Sequence, residues 1–222
     1  MKTPIIIPTV IAKDVSALKK QLAQYKGLVD EIQLDIMDGT FVKNTSNWFP
    51  LLLPKTFHYQ AHLMIQEPES WVYHYGAQVQ TIILNAERAH HIKKIQKYLH
   101  KKNHKIGLAL NPETPITRLK PYLKKIDLVL LLTVHPGKYG ASFLPETLDK
   151  VRALRKIYKG TIELDGGMTP ETIKQGWNAG ANVFAVGSYL QKSTNKKKAL
   201  KELTNAITSS VICDGNVCHM QP

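Results

Sequence analysis

The chain has 222 residues, 43% of them hydrophobic, and thirty Lys and Arg against seventeen Asp and Glu give a formal net charge of +13. That length and apolar content suit one domain with one substantial core, and there is neither a run of about 18 apolar residues nor a leader-like apolar core and cleavage site in Met1–Val10. The surplus charge is lysine, spread over segments such as Lys93–Lys102 and Lys192–Lys201, with only Arg88, Arg118, Arg152 and Arg155 as arginines. Solvated helix faces are therefore expected rather than a nucleic-acid reader, in a cytoplasmic protein with no membrane partner.

Short apolar runs alternate with helix-period segments along the whole chain. Strands are predicted at Ile5–Val10, Glu31–Ile36, Tyr59–Met64, Thr81–Leu84, Ile106–Leu110, Leu128–Thr133, Thr161–Leu164 and Val183–Val186. Helices are predicted at Val15–Tyr25, Pro68–Tyr75, Arg88–Lys101, Ile116–Leu123, Pro145–Tyr158, Pro170–Asn178 and Thr194–Thr208, with proline near several of their starts. After the second strand, Phe41–Pro54 reads as a loop with at most a short helix. His90, His91, His100 and His104 fall on a strongly charged helical segment and its exit, which favours a solvent-facing helix over a metal site. The only cysteines, Cys213 and Cys218, match no common zinc or redox spacing and read as free thiols in a tail over 210–222.

Eight strand–helix units with near-continuously apolar strands imply a parallel sheet covered on both faces. An open doubly wound sheet fits the same alternation. Eight units in 222 residues without a linker favour the closed alternative, an α/β (β/α)8 TIM barrel forming one domain over 1–222.

Barrel active sites draw on the C-terminal strand ends, and polar exceptions stand there. Gln33 and Asp35 are two apart on the second strand and so share a side. His62 lies on the third strand and Asp165 ends the seventh. Two carboxylates and an imidazole at one mouth can hold a divalent metal and act as acid/base groups. Each also has a plain structural role available: Asp35 could cap a turn with Asp38, His62 could be a core histidine, and Asp165 could bond local amides. Asp165 is followed by Gly166 and Gly167, and the eighth strand ends on Gly187 and Ser188. Backbone amides bared at those two consecutive strand ends suit a phosphate.

Several motifs in this order, LDIMDGTFV (Leu34–Val42), AHLMI (Ala61–Ile65), GLALNPETP (Gly107–Pro115), TVHPG (Thr133–Gly137), SFLPE (Ser142–Glu146) and the stretch Ile162–Ser188, resemble the ribulose-phosphate 3-epimerase family. The resemblance implies a ribulose-phosphate-binding barrel that interconverts ribulose 5-phosphate and xylulose 5-phosphate through an enediolate. It also implies a phosphorylated keto-sugar as ligand, a homo-oligomer, and a divalent metal such as Zn, Mn, Fe or Co. By the same resemblance Asp35 is the proton acceptor, Asp165 the donor, and both ligate the metal with His62. Thr9 stands at a substrate-contacting serine position. His62, Met37, Met64, Gly137 and Gly140 fall at further substrate positions, and Gly166, Gly167, Gly187 and Ser188 at the phosphate positions.

The departures bear on the metal and the lid. Gln33 replaces a histidine ligand, and as a neutral amide oxygen it would hold the ion weakly or not at all. Lys138 and Tyr139 make the loop after the sixth strand bulkier, and His135 faces the same mouth, where it could compensate for Gln33. The related phosphate-binding decarboxylases need a lysine where this chain has Met37. The alternatives are another phosphosugar epimerase or isomerase, or a non-catalytic barrel that binds a phosphate ligand.

Overall fold

The computed structural model describes residues 4–100, 104–136, 140–208, 211–214 and 217–220. The eight predicted strands are β1 (Ile5–Val10), β2 (Glu31–Asp38), β3 (His58–Met64), β4 (Thr81–Asn85), β5 (Lys105–Leu110), β6 (Leu128–Leu132), β7 (Thr161–Asp165) and β8 (Val183–Val186). Each pairs in parallel with the next, and β8 returns to β1 with Ile5 opposite Val183 and Pro8 opposite Val186, so the barrel is closed. Closure leaves no strand edge among the eight to template aggregation.

The helices are α1 (Val15–Ala23), α2 (Pro68–Tyr75), α3 (Ala89–His100), α4 (Thr147–Ile157), α5 (Pro170–Ala179), α6 (Ser188–Lys192) and α7 (Lys196–Thr208). Their ends follow local chemistry. Asp14 accepts the Ala17 amide to start α1, and Thr169 forms a reciprocal cap with Thr172 to start α5. Among the described residues no helix is long and apolar enough to cross a membrane.

Four stretches differ from expectation. Ile116–Leu123, expected as a helix, keeps one 3-10 turn at Ile116–Leu119, because Pro121 has no N–H to continue a helical ladder. In the loop after β2, Thr45–Ser46 forms a two-residue strand antiparallel to Met37–Asp38 instead of a helix. The short α6 was not anticipated. Val211–Asp214 and Val217–Met220, expected as a tail, pair as antiparallel strands with Cys213 opposite Cys218. The side chains of His90, His91 and His100, and Gly137 with Lys138 and Tyr139, lie outside the described residues.

Strand residues alternate between two environments. One set, including Ile32, Leu34, Ile36, Leu63, Leu108, Leu164 and Phe184, packs with Leu18, Trp71, Leu154, Ile173 and Leu203 of the helices in one buried cluster. Full burial of each such side chain contributes about 1.5–3 kcal/mol. The other set fills the barrel, and it is divided. Ile83, Ala109, Leu128, Leu130 and Leu132 make a compact apolar cluster on the side of β4 to β6. Gly107 makes room for it, since a Cβ there would fall 2.7 Å from Leu128. Across from them, Thr9, Gln33, Asp35, Gln60, His62, Glu163 and Asp165 are all buried polar residues.

Asn47 ties the polar side to the loop above it. Its amide nitrogen donates to Val10 O at 2.9 Å and Asp35 O at 3.0 Å, and its own backbone N–H donates to Ala12 O at 2.8 Å. It does so at φ 49, in the left-handed region that asparagine tolerates. Asn47→Ala, which strands two buried carbonyls, is expected to cost about 1–3 kcal/mol in urea unfolding, and an unchanged midpoint would refute this role.

Candidate functional site

The polar side of the barrel ends in a cavity of about 420 Å³ at the C-terminal mouth. Its lining includes Thr9, Asp35, Met37, Met64, Gly140, Asp165, Gly166, Gly167, Gly187 and Ser188, so ten residues picked from the sequence meet at one opening. His62 and Gln33, fully buried, stand with Asp35 and Asp165 in the barrel interior behind that opening. The register explains the grouping. Asp35 pairs with His62 across β2 and β3, and Thr9 pairs with Gln33 across β1 and β2.

His62 Nδ1 lies 3.7 Å from Asp35 Oδ1 and 3.8 Å from Asp165 Oδ2, and neither ring nitrogen has a hydrogen-bond partner. A satisfied core histidine would have one. Ligand atoms of Asp35, His62 and Asp165 all lie within 4.8 Å of one another. Two carboxylates and an imidazole with idle nitrogens are a donor set that fits a divalent cation of the zinc or manganese type.

Gln33 sits differently from an amide-oxygen ligand. Its Nε2 donates to Asp35 Oδ1 at 2.9 Å and to Asp165 Oδ2 at 2.7 Å, and lies 3.5 Å from Thr9 Oγ1. Its Oε1 faces away, accepting from Gln60 Nε2 at 2.7 Å. The amide therefore bridges the two carboxylates as a donor, while the cation-type donor set is the other three residues. His135, which could have compensated, instead turns its Nδ1 to Glu113 at 2.6 Å in an exposed pair and is not part of the cluster. The turn-capping role falls to Asp38. Burial opposes its charge, but N–H groups of Gln66, Phe41 and Thr40 hold its carboxyl below the ordinary value.

Burial pushes the Asp165 carboxyl up to about 7, and the Asp35 charge adds to the rise. For His62, burial disfavours the imidazolium, but the two carboxylates outweigh it and raise its pKa. Burial also raises Glu163 well above the carboxylate range.

The glycines after β7 have steric reasons as well. Gly166 and Gly167 have φ of 112 and 66, and a Cβ would fall 2.5 Å from Val134 on the first and 2.9 Å from Phe143 on the second. Gly187 caps α6, so that the unanticipated helix begins at the edge of the cavity. The sequence also did not single out Lys43, Asn44 and Thr45, which reach the cavity only because their loop folds back along β2.

Residues 5–191 match the Ribulose-phosphate 3 epimerase family. The chain belongs to it, and is an enzyme of the isomerase class. The ribulose-phosphate 3-epimerase of Schizosaccharomyces pombe is 33% identical over 91% of this chain and 93% of its own length. That of Bacillus subtilis is 32% identical, over 89% and 97%. Among solved structures, KGPDC from Streptococcus mutans superposes with a TM-score of 0.70 at 11% identity, covering 94% of this chain and 99% of that one. The 3-hexulose-6-phosphate synthase of Salmonella typhimurium gives 0.67 at 12%, also covering 94% and 99%. At such identities the likeness to these two is one of barrel fold alone.

Protonation of the cluster should be visible in stability. Asp165 rises from 3.8 to about 7 on folding, so its protonated form stabilises the fold fully below the lower value and that contribution is lost as pH rises through the upper one. His62 and Glu163, also raised, act in the same direction. The chelator-treated protein is expected to melt at a lower temperature at about pH 8 than at about pH 5, with a shallower slope in Asp165→Asn. An identical slope in that variant would refute the assignment.

Proposed function

We propose that this family member interconverts ribulose 5-phosphate and xylulose 5-phosphate by moving the proton on C3, with Asp35 and Asp165 as the acid/base pair. The observation that carries the reading is the joint placement of both carboxylates on one amide nitrogen at the floor of a cavity whose rim is two glycine-bearing strand ends.

Epimerisation needs a base on one face of C3 and an acid on the other. Asp35 removes the C3 proton, the electrons of that bond pass toward the C2 carbonyl to give an enediolate, and Asp165 returns a proton to the opposite face. In the cation-free cluster burial pushes that carboxyl up to about 7, toward the protonated form this second duty needs. Gln33 holds both carboxylates in place through its two N–H bonds. Asp35, His62 and Asp165 would hold a divalent cation, whose charge stabilises the enediolate. Met37 and Met64, buried beside the cavity, exclude water from the reacting carbon. The N–H groups around Gly166, Gly167, Gly187 and Ser188 take the phosphate, which fixes C3 between the carboxylates.

Asp35→Asn and Asp165→Asn are each expected to lower epimerisation by about 10²–10⁴-fold. In heavy water, Asp165→Asn should still exchange the C3 proton of ribulose 5-phosphate while Asp35→Asn should not. Full epimerase activity in either variant would remove that residue from the mechanism. Gly187→Val should raise KM for the sugar phosphate and abolish competition by inorganic phosphate, and unchanged competition would refute the phosphate site.

A further inference from the structure

The phosphate site proposed at Gly166, Gly167, Gly187 and Ser188 offers neutral groups, in a cavity that Asp35 and Asp165 also line. A sugar phosphate brings further negative charge into that space, and a cation is the natural counterpart. Of the described side chains that line the cavity, Lys43 and His135 are the two that can carry positive charge. Glu113 already answers His135, with its Oε1 2.6 Å from Nδ1. The Lys43 ammonium has no ion pair or hydrogen bond among the described residues.

The backbone that carries Lys43 is held on both sides. Before it, the Asp38 carboxylate accepts from the N–H groups of Thr40 at 2.8 Å, Phe41 at 2.9 Å and Gln66 at 2.7 Å. Val42, next to the lysine, packs in a buried cluster with Met37 and Met64. After it, Thr45 and Ser46 pair with Asp38 and Met37. The stem therefore starts from a fixed point at the rim while its head is free, so a ligand pays little to order the backbone. One strand, β1, stands between β2 and β8. The ends of those two strands are thus about 10 Å apart across the sheet, a gap much of which a four-carbon stem can span.

We propose that Lys43 is a substrate-binding residue whose ammonium pairs with the sugar phosphate at the ends of β7 and β8, supplying the charge that the strand-end amides lack. This rests on the reading of those strand ends as the phosphate site. A lysine acts as a point charge with three rotatable donors, so it meets phosphate oxygens without the fixed fork that a guanidinium imposes. Its charge also offsets the repulsion between the phosphate and the two carboxylates below it, which neutral amides do only in part.

The test follows epimerisation of ribulose 5-phosphate by the full chain, with inorganic phosphate and unphosphorylated ribulose as competing probes. Lys43→Gln should raise both KM and the inhibition constant of inorganic phosphate on the order of tenfold, with kcat within about twofold and inhibition by ribulose unchanged. Lys43→Arg, which keeps the charge, should stay within about threefold of the native chain. Unchanged phosphate inhibition in Lys43→Gln overturns the proposal. Equal weakening of ribulose and phosphate assigns the lysine to the sugar instead, and a Lys43→Arg as poor as Lys43→Gln assigns the effect to shape; either overturns it too. Gly187→Val separates the lysine from the site beneath it. Where that substitution abolishes phosphate competition and Lys43→Gln does not, the phosphate site stands and the lysine has no part in it. A native chain that inorganic phosphate does not inhibit overturns the phosphate site itself, and this proposal with it.

Discussion

Buried polar side chains share the inside of a closed barrel with a compact apolar cluster, and this confinement governs the site. A buried donor or acceptor without a partner costs about 1–3 kcal/mol, more when it is charged. The polar half of the interior therefore has to answer itself. It does so through amides, which can bridge acids that would otherwise repel: Gln60 links Glu163 to Gln33, and Gln33 links Asp35 to Asp165. What is left unanswered is informative. Both nitrogens of His62, Asn85 Oδ1 and one oxygen of Glu163 lack partners, and His62 Nδ1 faces the two carboxylates.

The same confinement tunes the chemistry. Low solvent access and a neighbouring carboxylate lift Asp165 to about 7. The apolar half of the barrel matters here too. Leu130 and Leu132 pair in register with Glu163 and Asp165, so the leucine cluster forms one wall of the environment that raises them. Stability and reactivity thus draw on one arrangement. Protonation of the cluster favours the fold as pH falls, and in the proposed mechanism it also readies the acid.

Above the carboxylates, steric demands and ligand demands coincide. The left-handed turns at Gly166 and Gly167 are enforced by Val134 and Phe143, which a side chain would strike. The bared amides that suit a phosphate are therefore a by-product of how tightly this loop packs on the loop after β6. Asn47 does the equivalent task on the other side, holding the ends of β1 and β2 together beside Asp35.

The barrel itself was legible in the chain, because eight apolar runs at regular spacing leave few ways to bury both faces of a sheet, and all eight strands lie where the pattern put them. Asp35, His62, Asp165 and the glycine pairs stood out as polar or small exceptions at strand ends. Gln60 and Glu163 obey the same two-residue alternation, one step below His62 and Asp165, and that rule could have found them. The helix expected after β5 failed at Pro121, and α6 was too short to show a period. No local pattern could give the sense of the Gln33 amide. Types and spacing determine which residues share a face, but whether Gln33 offers nitrogen or oxygen to the carboxylates depends on Gln60 and Glu163, the latter 130 residues away in the chain. Only closure of the barrel brings those donors and acceptors within reach, and a hydrogen bond has a direction that sequence does not carry.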